Sequence, residues 1–128
     1  MIVVDSNILA YLLLPGEFTA RAELLFTSDP DWIAPVLWRS EFRNILAGYM
    51  RRGSLTLEQA SALQTEAELL LEGNEFSVNS GDVLALVKAS DCSSYDCEFV
   101  ALALQSGVRL VTMDKKILRN FPELATAL

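Results

Sequence analysis

Four acidic residues stand where an ordinary surface carboxylate has no reason to be. Asp5 ends the apolar run Ile2 to Val4, and Asp114 follows the run Leu110 to Met113. Glu41 falls inside the apolar stripe of an amphipathic stretch, four residues after Leu37 and four before Ile45. Asp96 lies in SYDCEFVALA, one turn before Val100 and aligned with Phe99 and Ala103. Carboxylates that converge on one pocket repel each other, and a divalent cation relieves that repulsion. Hard oxygen ligands of this kind suit Mg²⁺ or Mn²⁺. The chemistry that follows is metal-assisted phosphodiester hydrolysis, in which bound metal activates water and stabilises the charge growing on phosphate. The chain contains no histidine. That removes histidine bases, Ser/His and Cys/His nucleophile pairs and histidine metal ligands, none of which the metal route needs.

Each acid also has an ordinary reading. Asp5 in DSN, between a strand and a helix, reads alone as a helix cap, and Asp114 could cap the last helix. Ser93 and Asp96 have capping-box spacing, and a first-turn aspartate suits the helix dipole. For Glu41 the ordinary reading is a buried ion pair with an arginine such as Arg21, because an unpaired buried carboxylate is costly. Asp82 reads as a first-turn dipole residue, Asp91 as loop, and Glu98, two residues after Asp96, points elsewhere on the helix. The acids as a set carry more weight than any one of them.

The elements that position them follow from periodicity and punctuation. Residues 1 to 5 read as a strand, and residues 7 to 14 as a helix stopped near Pro15 and Gly16. A helix over 17 to 27 is broken by SDPD, and WIAP is a short strand. Pro35 pre-sets the start of a longer helix that ends near Gly53. On that helix Leu37, Trp38, Phe42, Ile45, Leu46 and Tyr49 make the apolar stripe; Arg39, Ser40, Arg43 and Asn44 fall on the opposite, wet face. Thr56, with Gln59 placed for a capping box, opens a helix that runs to Glu72. EFSV is a third strand, SGDVLALVKAS a short helix, and SYDCEFVALALQS a helix that ends at Gly107. VRLVT is a fourth strand, and a short helix over 115 to 120 precedes a loose C-terminus in which a fifth strand is left open. Short apolar strands alternating with amphipathic helices specify an α/β fold with a parallel sheet. Ligands of such sheets bind beyond the carboxyl ends of the strands, where Asp5 and Asp114 stand.

At 128 residues the chain reads as one domain, residues 1–128, and a hydrophobic fraction of 52% supports a full core. Cys92 and Cys97 are too close in sequence for a useful disulfide and lack zinc-site spacing. Two reduced thiols fit a reducing cytoplasm. The run Ile8 to Leu14 is too short to span a bilayer, and no signal peptide or membrane anchor is expected. The net charge of −7 makes a poor generic nucleic-acid binder. An RNA substrate therefore needs bound metal or a local basic patch. Arg39, Arg43, Lys115 and Lys116 are the candidate phosphate contacts, with Arg51, Arg52 and Arg119 nearby. Trp32 and Trp38 read as packing residues rather than base-stacking ones.

Competing classes leave different signatures. An aspartyl-phosphate phosphatase wants a second aspartate at position 7, where Asn7 stands, and a receiver domain wants adjacent acids after the first strand. Neither GxGxxG nor a GKS/T loop occurs, which disfavours nucleotide-binding enzymes. A non-catalytic binding module would not need the four acids.

VVDSN, a mid-chain glutamate within a helix, SSYDCEFVALA and LVTMD, in that order, resemble a PIN-domain ribonuclease. More narrowly, the chain is similar to the small single-domain toxins of VapBC-type toxin–antitoxin modules. The resemblance covers essentially the whole sequence. It implies a three-layer α/β/α fold with a central parallel sheet of four or five strands. It implies that Asp5, Glu41, Asp96 and Asp114 hold Mg²⁺ or Mn²⁺ and carry catalysis, with Asn7 and Thr112 organising the site by hydrogen bonds. It further implies an endoribonuclease that cuts tRNA or ribosomal RNA, a homodimer, and a cognate antitoxin that blocks the cleft. A non-toxin PIN-domain nuclease or an RNA-binding module is the alternative. Phe99 stands where many members carry tyrosine.

Overall fold

A computed structural model describes residues 1–128. The chain runs β1 (Ile2–Val4), α1 (Ser6–Leu13), α2 (Thr19–Ser28), β2 (Trp32–Pro35), α3 (Trp38–Arg51) and α4 (Leu57–Leu70). It continues with β3 (Glu75–Phe76), α5 (Ser80–Lys88), α6 (Ser94–Ser106), β4 (Leu110–Val111), α7 (Lys115–Asn120) and β5 (Ala125–Thr126). The five strands form one sheet in the order β3-β2-β1-β4-β5, and every pairing is parallel. The fold is three-layered, with helices on both faces of the sheet, as parallel strands require.

The order of strands explains the layers. The chain steps outward from β1 to β2 to β3, then returns to the far side of β1 with β4 and β5. Right-handed crossovers put α1 to α4 on one face and α5 to α7 on the other. Consistent with this, α6 packs on β1, β2 and β4 with α5 against it, while α1 contacts α2, α3 and α4. The reversal of direction lies between β1 and β4, so their carboxyl ends flank a switch-point crevice.

β1 and β4 are buried along their whole lengths, as their unbroken apolar composition demands. Val3, Ile8, Leu9, Trp38, Phe42, Phe99 and Leu102 anchor a single core cluster. Trp32 and Trp38 are both buried. Thr56 and Gln59 form the reciprocal capping box, and Gly107 takes φ +67 to close α6.

Three local expectations are corrected. WIAP is the strand β2 as read, but Pro35 does not set the helix start: α3 begins only at Trp38, without a side-chain cap. The third strand shrinks from EFSV to Glu75–Phe76. The C-terminus is not loose. Leu110 donates to the Leu124 carbonyl at 3.1 Å and Thr112 to the Thr126 carbonyl at 3.0 Å, which makes 125–126 the fifth strand.

Candidate functional site

All four acids line one cavity of about 450 Å³ at the switch point. Asp5 is delivered by β1 and Asp114 by the residues just beyond β4; Glu41 and Asp96 come from the first turns of α3 and α6. The ordinary readings of three of them are also realised. Asp5 caps α1, Asp114 caps α7 by accepting from the Ile117 amide at 2.9 Å, and the Asp96 amide donates to the Ser93 hydroxyl at 3.1 Å. Capping fixes where each carboxylate sits, and the switch-point topology decides that they share a hollow.

Asp5 is held most firmly, with only 9% of its surface exposed. One oxygen accepts from the Ser6 amide and the other from the Thr112 hydroxyl, both at 2.7 Å. Thr112 is fully buried, and its hydroxyl also accepts from the Asp114 amide at 3.0 Å. A single side chain thus ties the ends of β1 and β4 together. Glu41 has no basic partner. Its carboxylate accepts from the buried Ser6 hydroxyl at 2.8 Å, whereas Arg21 lies over the Phe18 ring. The ion pair expected as the ordinary reading of Glu41 is therefore not formed.

Electrostatics follow from that lack of counter-charge. Burial pushes the Asp5, Glu41 and Asp96 carboxyls above their usual range. Hydrogen bonds from Thr112, Ser6 and Ser93 offset part of the rise, and the neighbouring acids add to it by repulsion. Lys116 is the one base that opposes the rise at Asp96. A four-carboxylate hollow with raised acids and no paired base has the donor chemistry of a hard divalent cation site. As the side chains stand, no group of three or more acids is placed to hold a metal ion. Mg²⁺ keeps several waters and is bound through one or two carboxylates, a number this hollow supplies.

Several expectations change in detail. Asn7 lines the cavity, but Ser6 makes the bracing hydrogen bond to Glu41. Ser40 and Asn44, placed on the wet face by sequence, line the same cavity as Glu41. Asn44 is three residues beyond Glu41, the spacing that puts helix side chains together. Arg39 is not a free phosphate contact: its guanidinium grips Glu75 through two nitrogens at 2.6 and 2.7 Å and Glu68 at 2.9 Å. Arg43 is exposed and does not line the acidic cavity; it bonds the Arg39 carbonyl and the Ser40 hydroxyl. Lys115 and Lys116 are exposed at the start of α7 beside Asp114. Asp82, Asp91 and Glu98 stay outside the cavity, although the Glu98 charge still reaches Glu41. Tyr95, on the cavity wall, carries no sequence signal that singles it out.

A family model for the PIN domain matches residues 2–124. The chain is 30% identical to Ribonuclease VapC3 of Pyrobaculum aerophilum over 128 residues, covering 98% of each. Among solved structures, PAE2754 from Pyrobaculum aerophilum superimposes with a TM-score of 0.78 at 20% identity, covering 98% of this chain and 89% of that one. A toxin–antitoxin complex from Klebsiella pneumoniae matches with a TM-score of 0.71 at 15% identity, over 98% of this chain and 96% of that one. No helix is long and apolar enough to cross a membrane.

Proposed function

This chain belongs to the PIN-domain family, and on that premise we propose that it is a Mg²⁺- or Mn²⁺-dependent endoribonuclease, the toxin of a toxin–antitoxin pair. The observation that carries the proposal is the meeting of Asp5, Glu41, Asp96 and Asp114 in one cavity without a basic partner for Glu41. The likeness to Ribonuclease VapC3 supports the RNA substrate, and the Klebsiella complex supports an antitoxin partner.

In this reading Asp5, Glu41, Asp96 and Asp114 would hold the ion, directly or through its waters. A Mg²⁺ or Mn²⁺ there would supply an activated water and neutralise charge on the phosphate. The chain's own residues set the stage. Thr112 and the Ser6 amide fix both oxygens of Asp5, and the Ser6 hydroxyl holds Glu41 toward it. Asn7, Asn44 and Ser40 offer neutral donors on the cavity wall. Lys115, Lys116 and Arg43 are the cations left to meet RNA phosphates, because Arg39 is committed to Glu75 and Glu68. The substrate class is structured RNA such as tRNA or ribosomal RNA. The protein works in the cytoplasm as a homodimer, and its antitoxin silences it by covering the cavity.

The test is cleavage of total RNA by purified protein, with and without EDTA, followed by sequencing of the new ends. Cutting that requires Mg²⁺ or Mn²⁺ and stops with Asp5→Asn supports the proposal. Cutting that EDTA does not affect, or no cutting with either ion, overturns it.

A further inference from the structure

Beside the acidic cavity lies a second one of about 440 Å³. Adjacent residues separate the two: Val36 lines the second and Leu37 the first, and Ser94 lines the second and Tyr95 the first. Both cavities therefore open on the carboxyl edge of the sheet, on either side of the β2–α3 turn and the start of α6. Their chemistries differ. The second has apolar walls that include Val83, Leu84 and Phe76, and Phe76 keeps 39% of its surface exposed. Its polar groups are the Glu98 carboxylate and the serines at 77, 80 and 94. Neither lysine nor arginine lines it, so it offers no charge to a phosphate. An exposed aromatic ring, apolar walls and one carboxylate suit a flat uncharged ring that carries N–H donors, which is the description of a nucleobase.

We propose that this second cavity is a nucleobase subsite, in which Phe76 stacks on the guanine of a nucleotide flanking the cut bond and Glu98 accepts its N1–H and N2–H. The proposal rests on the ribonuclease reading given above. Guanine is the choice because its Watson–Crick edge presents two adjacent N–H donors, which match the two oxygens of a carboxylate. Uracil presents one donor between two acceptors. The competing occupant is the apolar surface of a second copy of this chain. That surface would bury Glu98 without a donor, at a desolvation cost a base does not impose.

The experiment is titration of the intact protein with guanosine, inosine and uridine, followed by the NMR amide signals of Phe76, Val83 and Leu84. Guanosine is expected to shift these signals, and inosine, which lacks the exocyclic amino group, to bind about tenfold more weakly. Phe76→Leu keeps an apolar wall but loses the ring face, and should weaken guanosine about tenfold. Glu98→Gln should remove the preference for guanosine over uridine. Absence of shifts at these residues, or equal guanosine binding by both variants, overturns the subsite. So does a Phe76→Leu variant whose sedimentation mass changes while its guanosine binding does not. RNA cleavage by the unmodified protein is scored separately. Cleavage without guanosine binding sinks the subsite alone; guanosine binding without cleavage sinks the ribonuclease reading and leaves a base-binding cavity.

Discussion

Asp5 is the residue on which the candidate site turns, and its neighbours say what substitution should do. Asparagine is as good a helix cap as aspartate, so Asp5→Asn keeps the acceptor for the Ser6 amide while it loses the charge and turns an amide nitrogen toward the Thr112 hydroxyl. RNA cleavage should fall by well over a hundredfold, beyond the roughly 10–100-fold typical of an outer-shell partner. The same variant should unfold at a higher temperature, because a buried charge with like-charged neighbours has been removed. A cleavage assay and a thermal melt on one preparation check both halves. Ser6 belongs at the same scale. Its hydroxyl is the hydrogen-bond partner of the Glu41 carboxylate, so Ser6→Ala should lower kcat about tenfold with little change in KM, and Ser6→Thr should restore it. Loss of folding in Ser6→Ala, or no rescue by threonine, would contradict that role. Asp5 and Asp114 were legible in the sequence because each interrupts an apolar strand. Ser6 was not, because a serine after an N-cap looks like any first-turn residue until its partner, 35 positions away, is seen.

At the scale of elements, local rules and tertiary contacts divide the work. The ends of α4 and α6 obey their own residues: Thr56 and Gln59 close one, and Gly107 the other. Gly107→Ala forces a side chain into a left-handed backbone and should cost about 1–2 kcal/mol, read by urea unfolding. Other elements answer to distant partners. β3 is only two residues long, yet Glu75 within it receives the Trp38 indole N–H at 2.7 Å and the Arg39 guanidinium. That network pins α3 and α4 to the edge of the sheet. Arg39→Lys loses the two-nitrogen grip, so it should lower the melting temperature while leaving RNA affinity unchanged, as a filter-binding assay would show. Periodicity placed Arg39 and Asn44 together on a wet face; the structure sends one to an ion pair and the other to the cavity. A hydrophobic pattern separates buried from exposed, but it does not resolve two different exposures on one helix.

For the whole molecule the sum of carboxylates sets the response to pH and to ions. In the folded chain Asp5, Glu41 and Asp96 sit above ordinary values of 3.8, 4.5 and 3.8. The folded state therefore holds more protons than the unfolded one between those values and the raised ones, and stability falls as pH rises through that window. Below the ordinary values both states are protonated and the cost vanishes. The stability gap between Asp5→Asn and the unmodified chain should thus open as pH climbs above the ordinary carboxylate value of 3.8, measured by urea unfolding across pH. Adding Mg²⁺ at pH 7 should stabilise the unmodified chain by mass action, about 2.7 kcal/mol at a hundredfold excess over Kd, and should do far less for Asp5→Asn. The sequence by itself determined the α/β class, the parallel sheet, the helix caps and the identity of the four acids, because strand hydrophobicity, capping and the lack of histidine are local or compositional. Only the tertiary structure decided that the acids meet. Their convergence depends on the order β3-β2-β1-β4-β5, which sets the ends of β1 and β4 side by side although more than a hundred residues separate them. Partner choice between residues distant in sequence decided the rest: Ser6 for Glu41, Thr112 for Asp5, Glu75 for Arg39, and residues 125–126 for the free edge of β4.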